Sequence, residues 1–185
     1  MKTAMLFAVL MTAMLTVSIS YAMWQKALAI NGTVNTGYMD GKWVLALNFD
    51  PPAPPVSLDP NPDGTRKDQD VGSTTVSGIG TDTLVVTVNN AYPSYFNDIE
   101  VEYRYTGTIP AEVQSIEIIP NGFTLATAYG ANDGPIWVKF VDGIGTKLHQ
   151  GDEQASSFKI HVEQCAQQGT SYTFTVKLRL VQWNE

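Results

Sequence analysis

The chain has 185 residues, a formal net charge of −7 and a single cysteine, Cys165. This acidic balance argues against nucleic acid and anionic membrane surfaces as partners. One cysteine excludes an internal disulfide, so stability must come from packing, ions or assembly.

The first 22 residues are predicted to be a signal peptide. Lys2 provides a positive start, residues 4–19 are uncharged and mostly apolar, and Ser20 and Ala22 are small residues where a signal peptidase reads. The alternative is a permanent membrane helix, but the apolar stretch is short for a ~30 Å core and no basic cluster follows. Cleavage between Ala22 and Met23 would leave 163 residues, the length of one domain. The prediction is therefore an extracellular or cell-surface protein that meets the membrane only during export.

An alternating segment, residues 28–36, follows the cleavage site directly. Its even positions Leu28, Ile30, Gly32 and Val34 share one face of a strand. Such a strand either pairs within its own domain or is donated to a neighbouring subunit. Burial of its three aliphatic side chains would contribute roughly 5–9 kcal/mol before ordering costs. Residues 23–37 are therefore the candidate N-terminal donor strand, with pairing inside its own sheet as the alternative.

Residues 38–185 are predicted to form short strands separated by Gly, Asn and Pro. The clearest is 99–105, where Ile99, Val101, Tyr103 and Tyr105 alternate with charged residues, as in a sheet with one buried face. The other predicted strands are 43–49, 83–88, 113–118, 123–127, 136–141, 158–162 and 172–183. No segment has a helical stripe. The expected fold is all-β, a single jelly-roll-like or immunoglobulin-like β-sandwich.

Residues 50–72 form a loop rich in proline and aspartate. The spacing of its oxygen-bearing side chains and of Gly64 matches a calcium-binding loop, in which alternate side chains converge on one cation. The predicted ligands are Asp59, Asn61, Asp63, Thr65 and Asp70. Against this site, Asp70 replaces the usual glutamate, Arg66 and Lys67 repel a cation, and no helices flank the loop. The alternative is a solvated acidic loop that binds no ion. Calcium is the one ion that the sequence suggests, and no cofactor is required.

No catalytic constellation is predicted, and the chain is not expected to be an enzyme. The two histidines, His149 and His161, lack metal-ligand spacing, and no Ser, Cys or Thr lies in a nucleophile motif. Alternation along residues 158–162 places Phe158, Ile160 and Val162 inward, so His161 is expected on the surface. Cys165 is expected to lie unreactive at a strand end.

Several segments resemble exported TasA-type biofilm-fibre subunits, which are processed by a SipW-type signal peptidase. The similar segments, in the order that the family has them, are 21–24, 32–37, 84–95, 99–110 and the final strand 174–184, which closes on Gln-Trp-Asn. They cover about half of the chain; residues 50–77 and 129–154 have no counterpart.

The resemblance implies a jelly-roll subunit whose open groove accepts the N-terminal strand of the next subunit. Archaeal bundling pili and cannula tubules are similar donor-strand assemblies, and the cannula type implicates calcium. The expected function is thus a structural subunit of an extracellular filament, whose partners are identical subunits and, in bundles, neighbouring filaments. The alternative is a monomeric cell-surface module that binds carbohydrate or protein, and a third candidate is an exported hydrolase.

Overall fold

The computed structural model describes residues 2–23, 36–52 and 58–183. The chain divides into two compact units, Met1–Thr36 and Gly37–Glu185. The first unit contains one helix, α1 (Lys2–Met23), which covers the predicted signal peptide and carries no acidic residue in its first turn and no basic residue in its last. Within the described part of the chain, no helix combines the length and apolar character needed to cross a membrane.

The second unit is a β-sandwich, which confirms the predicted all-β class. Its strands are β1 (Gly41–Asn48), β2 (Ser73–Ser77), β3 (Thr83–Ala91), β4 (Phe96–Tyr105), β5 (Ala111–Pro120), β6 (Ile136–Phe140), β7 (Lys147–Leu148), β8 (Glu153–Val162) and β9 (Thr170–Gln182). Sheet A has the order β1-β4-β8-β6 and sheet B the order β2-β3-β9-β5-β7. All ladders between these strands are antiparallel.

The core lies between the two sheets and is filled by the inward-facing residues of each strand. The alternation predicted for β4 is confirmed, since Ile99, Val101, Tyr103 and Tyr105 are all buried. The ring of Phe158 stacks on Phe140, its neighbour within sheet A (5.0 Å), and meets Phe174 of sheet B edge-to-face across the core (6.4 Å). Edge-to-face pairs of this kind add stability beyond the area that they bury.

The structure differs from the sequence prediction in three places. Residues 123–127 form no strand; Leu125 makes one isolated bridge to Ile136, while Phe123 and Leu125 pack as half-buried side chains against the core. β2 was not predicted, because its sequence Ser-Thr-Thr-Val-Ser is largely polar. β7 has two residues, too few for a periodic pattern to be detected.

Candidate functional site

Of the predicted donor strand, residues 23–37, the structure describes only residues 23, 36 and 37. Leu28, Ile30, Gly32 and Val34 lie outside the described residues, and so does the face that they share. Ala22 and Met23, which flank the predicted cleavage site, are the last two residues of α1. Donation of this strand therefore stays a prediction, and the described residues bear on it through the surface that would receive it.

One side of the sandwich has unpaired strand edges. β5 pairs with β9 along its whole length, but β7 covers only Ala111 and Glu112 on the opposite edge. Val113 extends this cover through hydrogen bonds with Thr146 and Gly145. Among the described residues, no ladder partner lies along the outer edge of residues 114–120. On the facing sheet, β6 is the terminal strand of sheet A, and its outer edge is bridged only at Ile136, by Leu125, among the described residues.

The core is incompletely covered along this open side. Ile116 and Ile118 of β5, Val138 and Phe140 of β6, and Leu178 of β9 are half-buried against the core, whereas the inward residues of β3 and β4 are buried. A surface cleft brings Ile116 and Phe140 together with Leu178 of β9. We call the strip formed by these five side chains and the bare edge of β5 the open groove. Half-covered aliphatic residues beside unpaired backbone groups are a template for an added strand.

The open groove continues towards one end of the sandwich. A second cleft, of about 220 Å³, is lined by Leu178 and Leu180 of β9, Tyr103 of β4 and Met39. Leu178 lines both clefts, so they adjoin at this side chain. Sequence reasoning missed this surface, because its residues alternate like any core strand and nothing in the pattern marks them as uncovered.

The predicted calcium loop forms a hairpin in which the carboxylates of Asp59 and Asp63 accept hydrogen bonds from the protein. Pro60 and Arg66 form an antiparallel bridge, and the amide of Asn61 donates to the carbonyl of Thr65 (2.8 Å). Asp59 is fully buried, and its carboxylate accepts hydrogen bonds from the amides of Val71 and Gly72 and from the hydroxyl of Tyr92 (2.6 Å). These hydrogen bonds anchor Asp59 to the segment that leads into β2 and to Tyr92, which directly follows β3.

The remaining predicted ligands do not converge with Asp59. Asp63 accepts hydrogen bonds from the amide (3.0 Å) and hydroxyl (2.6 Å) of Thr65, which hold the pKa of this carboxyl below its usual range. The side-chain amide of Asn61 donates to the hydroxyl of Thr65 (3.0 Å). Asp70 is exposed. Among the described residues, no three acidic, histidine or cysteine side chains are grouped as metal ligands. Calcium binding stays a prediction for this loop.

Calcium titration is a direct test of the loop. Because the oxygens of Asp59 and Asp63 already accept protein hydrogen bonds, we expect millimolar Ca²⁺ or a chelator to leave the melting temperature unchanged. Binding to the native state would raise it by mass action. Differential scanning fluorimetry with Ca²⁺, and with Mg²⁺ as the matched control, makes the measurement. A saturable rise specific to Ca²⁺ would establish the predicted site.

A second buried carboxylate, Asp50, lies where β1 leads into the loop. Its side chain accepts a hydrogen bond from the hydroxyl of Tyr95 (2.7 Å), which also bonds Thr74 (2.9 Å), and it lies 3.7 Å from the guanidinium of Arg66. Burial raises the pKa of Asp50 to about 6, against the opposing hydrogen bond from Tyr95. Burial also lowers the pKa of Lys67, whose ammonium group donates to the carbonyl of Ser94 (2.6 Å).

The raised pKa of Asp50 predicts a pH dependence of stability. Between pH values of about 4 and 6 the folded protein retains a proton that the unfolded chain has released, so the free energy of unfolding falls as pH rises through that window. The loss from this group is at most about 3 kcal/mol and is complete above pH ~6. We expect Asp50→Asn to remove this part of the fall. Urea unfolding of both proteins at the two ends of the window measures it, and an equal difference at both ends would contradict the assignment.

The expected surface position of His161 is wrong. Its side chain does lie on the outer face of sheet A, but it is only 6% exposed, because the ring of Tyr129 packs 4.3 Å from it. Its Nδ1 lies 3.2 Å from Glu163, a fully buried carboxylate that also accepts a hydrogen bond from the amide of Gly130 (2.8 Å). This pair ties the segment around residue 130 to β8. Cys165 is exposed and follows β8, with its Sγ 3.2 Å from the carbonyl of Gly134.

No protein-family model, curated protein or solved structure matches this chain.

Proposed function

We propose that the protein is a structural subunit of an extracellular filament that polymerises by donor-strand complementation. The observation that carries the proposal is the open groove: half-buried Ile116, Ile118, Val138 and Phe140 beside an unpaired strand edge. The chain supplies its own candidate occupant, an alternating segment ahead of the sandwich. A strand added at this edge gains backbone hydrogen bonds and covers the exposed part of the core.

The dimensions of groove and donor agree. The bare edge of β5, residues 114–120, has seven residues, and so does the span from Leu28 to Val34. At ~3.3 Å per residue both extend over roughly 23 Å. Leu28, Ile30 and Val34 would then face the groove, while Gly32 would lie where the groove floor approaches most closely.

We include the finer architecture and the family in the same proposal. The chain alternates between the two sheets after β3, as Greek-key sandwiches do, and a jelly-roll relative of the TasA-type, bundling-pilus and cannula subunits fits this order. Export with a cleaved signal peptide would free the donor strand at Met23. The partners are then identical subunits, with lateral contacts to neighbouring filaments, and no catalytic role is proposed.

Electron microscopy of the mature protein, starting at Met23, tests this function. We expect filaments or tubules in purified samples, and polymers that survive heating in SDS as ladders, because the inserted strand is buried along its length. A protein that stays monomeric over a wide range of concentrations would support the alternative, a monomeric binding module. Analytical ultracentrifugation of the same samples distinguishes a slow polymer from a true monomer.

A further inference from the structure

A separate cleft lies on the outer face of sheet A, against the hairpin that carries Asp59. It has a volume of about 280 Å³ and lies between Pro60, Pro62 and the outward side chains at one end of β1 and β4. The hairpin is fixed in place by Arg66, whose guanidinium donates to the carbonyls of Phe49 (2.7 Å) and Leu58 (2.9 Å). The cleft is therefore held open by contacts that need no ligand.

One wall of the cleft is apolar. Phe49 is 41% exposed, and Phe96 lies beside it on β4, opposite the two prolines of the hairpin. An exposed aromatic ring in a concave site is typical of ligand pockets, where an apolar face of the ligand covers it. This wall suits a ligand with an apolar face.

The other wall of the cleft presents side-chain oxygen atoms that can accept hydrogen bonds from a ligand. Asp98 lines the cleft, and its Oδ1 is buried with no hydrogen-bond partner among the described residues. Glu100 lies two residues further along the same face of β4. The Nδ2 group of Asn61 donates to Thr65 (3.0 Å), which leaves the carbonyl oxygen of its side chain as an acceptor. A buried carboxylate oxygen without a donor is rare in folded proteins and indicates a missing partner.

The charges around the cleft favour a neutral ligand. Asp98 and Glu100 repel anions, and Arg66 is already bound to backbone carbonyls and lies 3.7 Å from Asp50. A metal ion would need several converging oxygens in place of an apolar wall. A basic ligand would meet the positive charge of Lys159, which lies opposite Asp98 in the strand register. Hydroxyl groups satisfy the acceptors and add no charge.

We propose that this cleft binds one sugar residue of a neutral glycan, with the apolar face of the pyranose ring on Phe49 and its hydroxyls on Asp98 and Glu100. The volume is small for a pocket, at the lower end of the ~300–1,000 Å³ range, which fits a single ring and not a longer chain. The proposal does not depend on polymerisation, because the cleft lies at the Phe49 end of β1, whereas the open groove lies at β6 and its continuation reaches only the Met39 end of β1. In a filament each subunit would present one such cleft, so weak binding would be strengthened by multivalency.

The test uses saturation-transfer NMR and calorimetry on the mature protein, with three soluble hexasaccharides as probes: a β-1,4-glucan, an oligomer of N-acetylglucosamine and an α-mannan. Phe49→Ala and Asp98→Asn are the two variants of the cleft. Leu47→Ala is the matched control, because Leu47 lies on the same edge strand with similar exposure (47% against 41%) and does not line the cleft. Circular dichroism verifies that each variant is folded.

We expect at least one probe to bind, and each cleft variant to weaken it about 10-fold or more, which corresponds to ~1.4 kcal/mol, while Leu47→Ala binds normally. Asp98→Asn is the sharper variant, because it preserves shape while it removes the charge and replaces one acceptor oxygen by an NH2 donor. Absence of saturation transfer from all three probes would overturn the proposal. So would binding that survives both cleft variants, or binding of hexalysine to the cleft in preference to every sugar.

Discussion

Deletion of residues 23–35 is expected to abolish polymerisation and to leave monomers with lower stability than the assembled protein. The deleted segment carries the three aliphatic side chains whose burial would contribute roughly 5–9 kcal/mol to each subunit contact. Loss of that amount exceeds a 1,000-fold change in affinity, so no filament should form at any practical concentration. Size-exclusion chromatography and electron microscopy of the truncated protein make the measurement. Filaments formed by this variant would show that the donor assignment is wrong.

A pair of point variants tests the receiving surface without removing any chain. Ile116 faces the open groove, whereas Ile119, on the same strand, faces solvent and is 47% exposed. We expect Ile116→Asp to block assembly, because a carboxylate would be desolvated beneath the incoming strand, and Ile119→Asp to assemble normally. Addition of a synthetic peptide covering residues 26–36 to the truncated protein should raise its melting temperature. The same peptide should have no effect on truncated Ile116→Asp.

Replacement of Asp59 by alanine is expected to cost roughly 3–5 kcal/mol of folding stability, one of the largest effects of any polar residue in the domain. The fully buried carboxylate satisfies the amides of Val71 and Gly72 and the hydroxyl of Tyr92, and all three donors would be left without it. A loss of this size lowers the melting temperature by about 10 °C in a domain of this length. Urea unfolding of Asp59→Ala measures it.

Asp63→Ala is the matched control for this loss. Asp63 lies four residues further along the same hairpin but is exposed, and its hydrogen bonds to Thr65 are local. We expect a cost below about 1 kcal/mol, as for most exposed positions. Equal losses for the two variants, together with a dependence on Ca²⁺, would point instead to the cation site that the spacing of the loop predicts.

The sandwich was predictable wherever local alternation and burial coincide. β4 is the example: its inward residues were assigned from period two alone, because each is buried directly by the facing sheet. Alternation along a strand does not predict burial where a residue distant in the sequence covers the side chain. His161 alternates outward as expected, but Tyr129, 32 positions earlier, covers it. β2 is polar and lies beside β3 through backbone pairing, which leaves no hydrophobic signal.

Of the proposed site, only the donor segment has a signal in the sequence, and its role stays a prediction. Residues 28–34 stand out in the sequence because they alternate alone, ahead of the domain. The open groove has no such signal, since Ile116 and Phe140 belong to ordinary strands and their partial exposure depends on which strands lie at the sheet edges. The spacing of residues 59–70 matches a calcium loop, but tertiary contacts from Tyr92, Val71 and Gly72 engage the carboxylate of its first predicted ligand, Asp59.

The bare edge of β5 has a thermodynamic consequence for the folding of the chain. If the last layer of the core is completed by a neighbour, then part of the free energy that holds each domain together is contributed by association. Folding and polymerisation are then linked equilibria, and the stability of a subunit has no single value independent of its concentration. We expect the melting temperature of the full mature chain to rise with protein concentration and that of the truncated chain to stay constant.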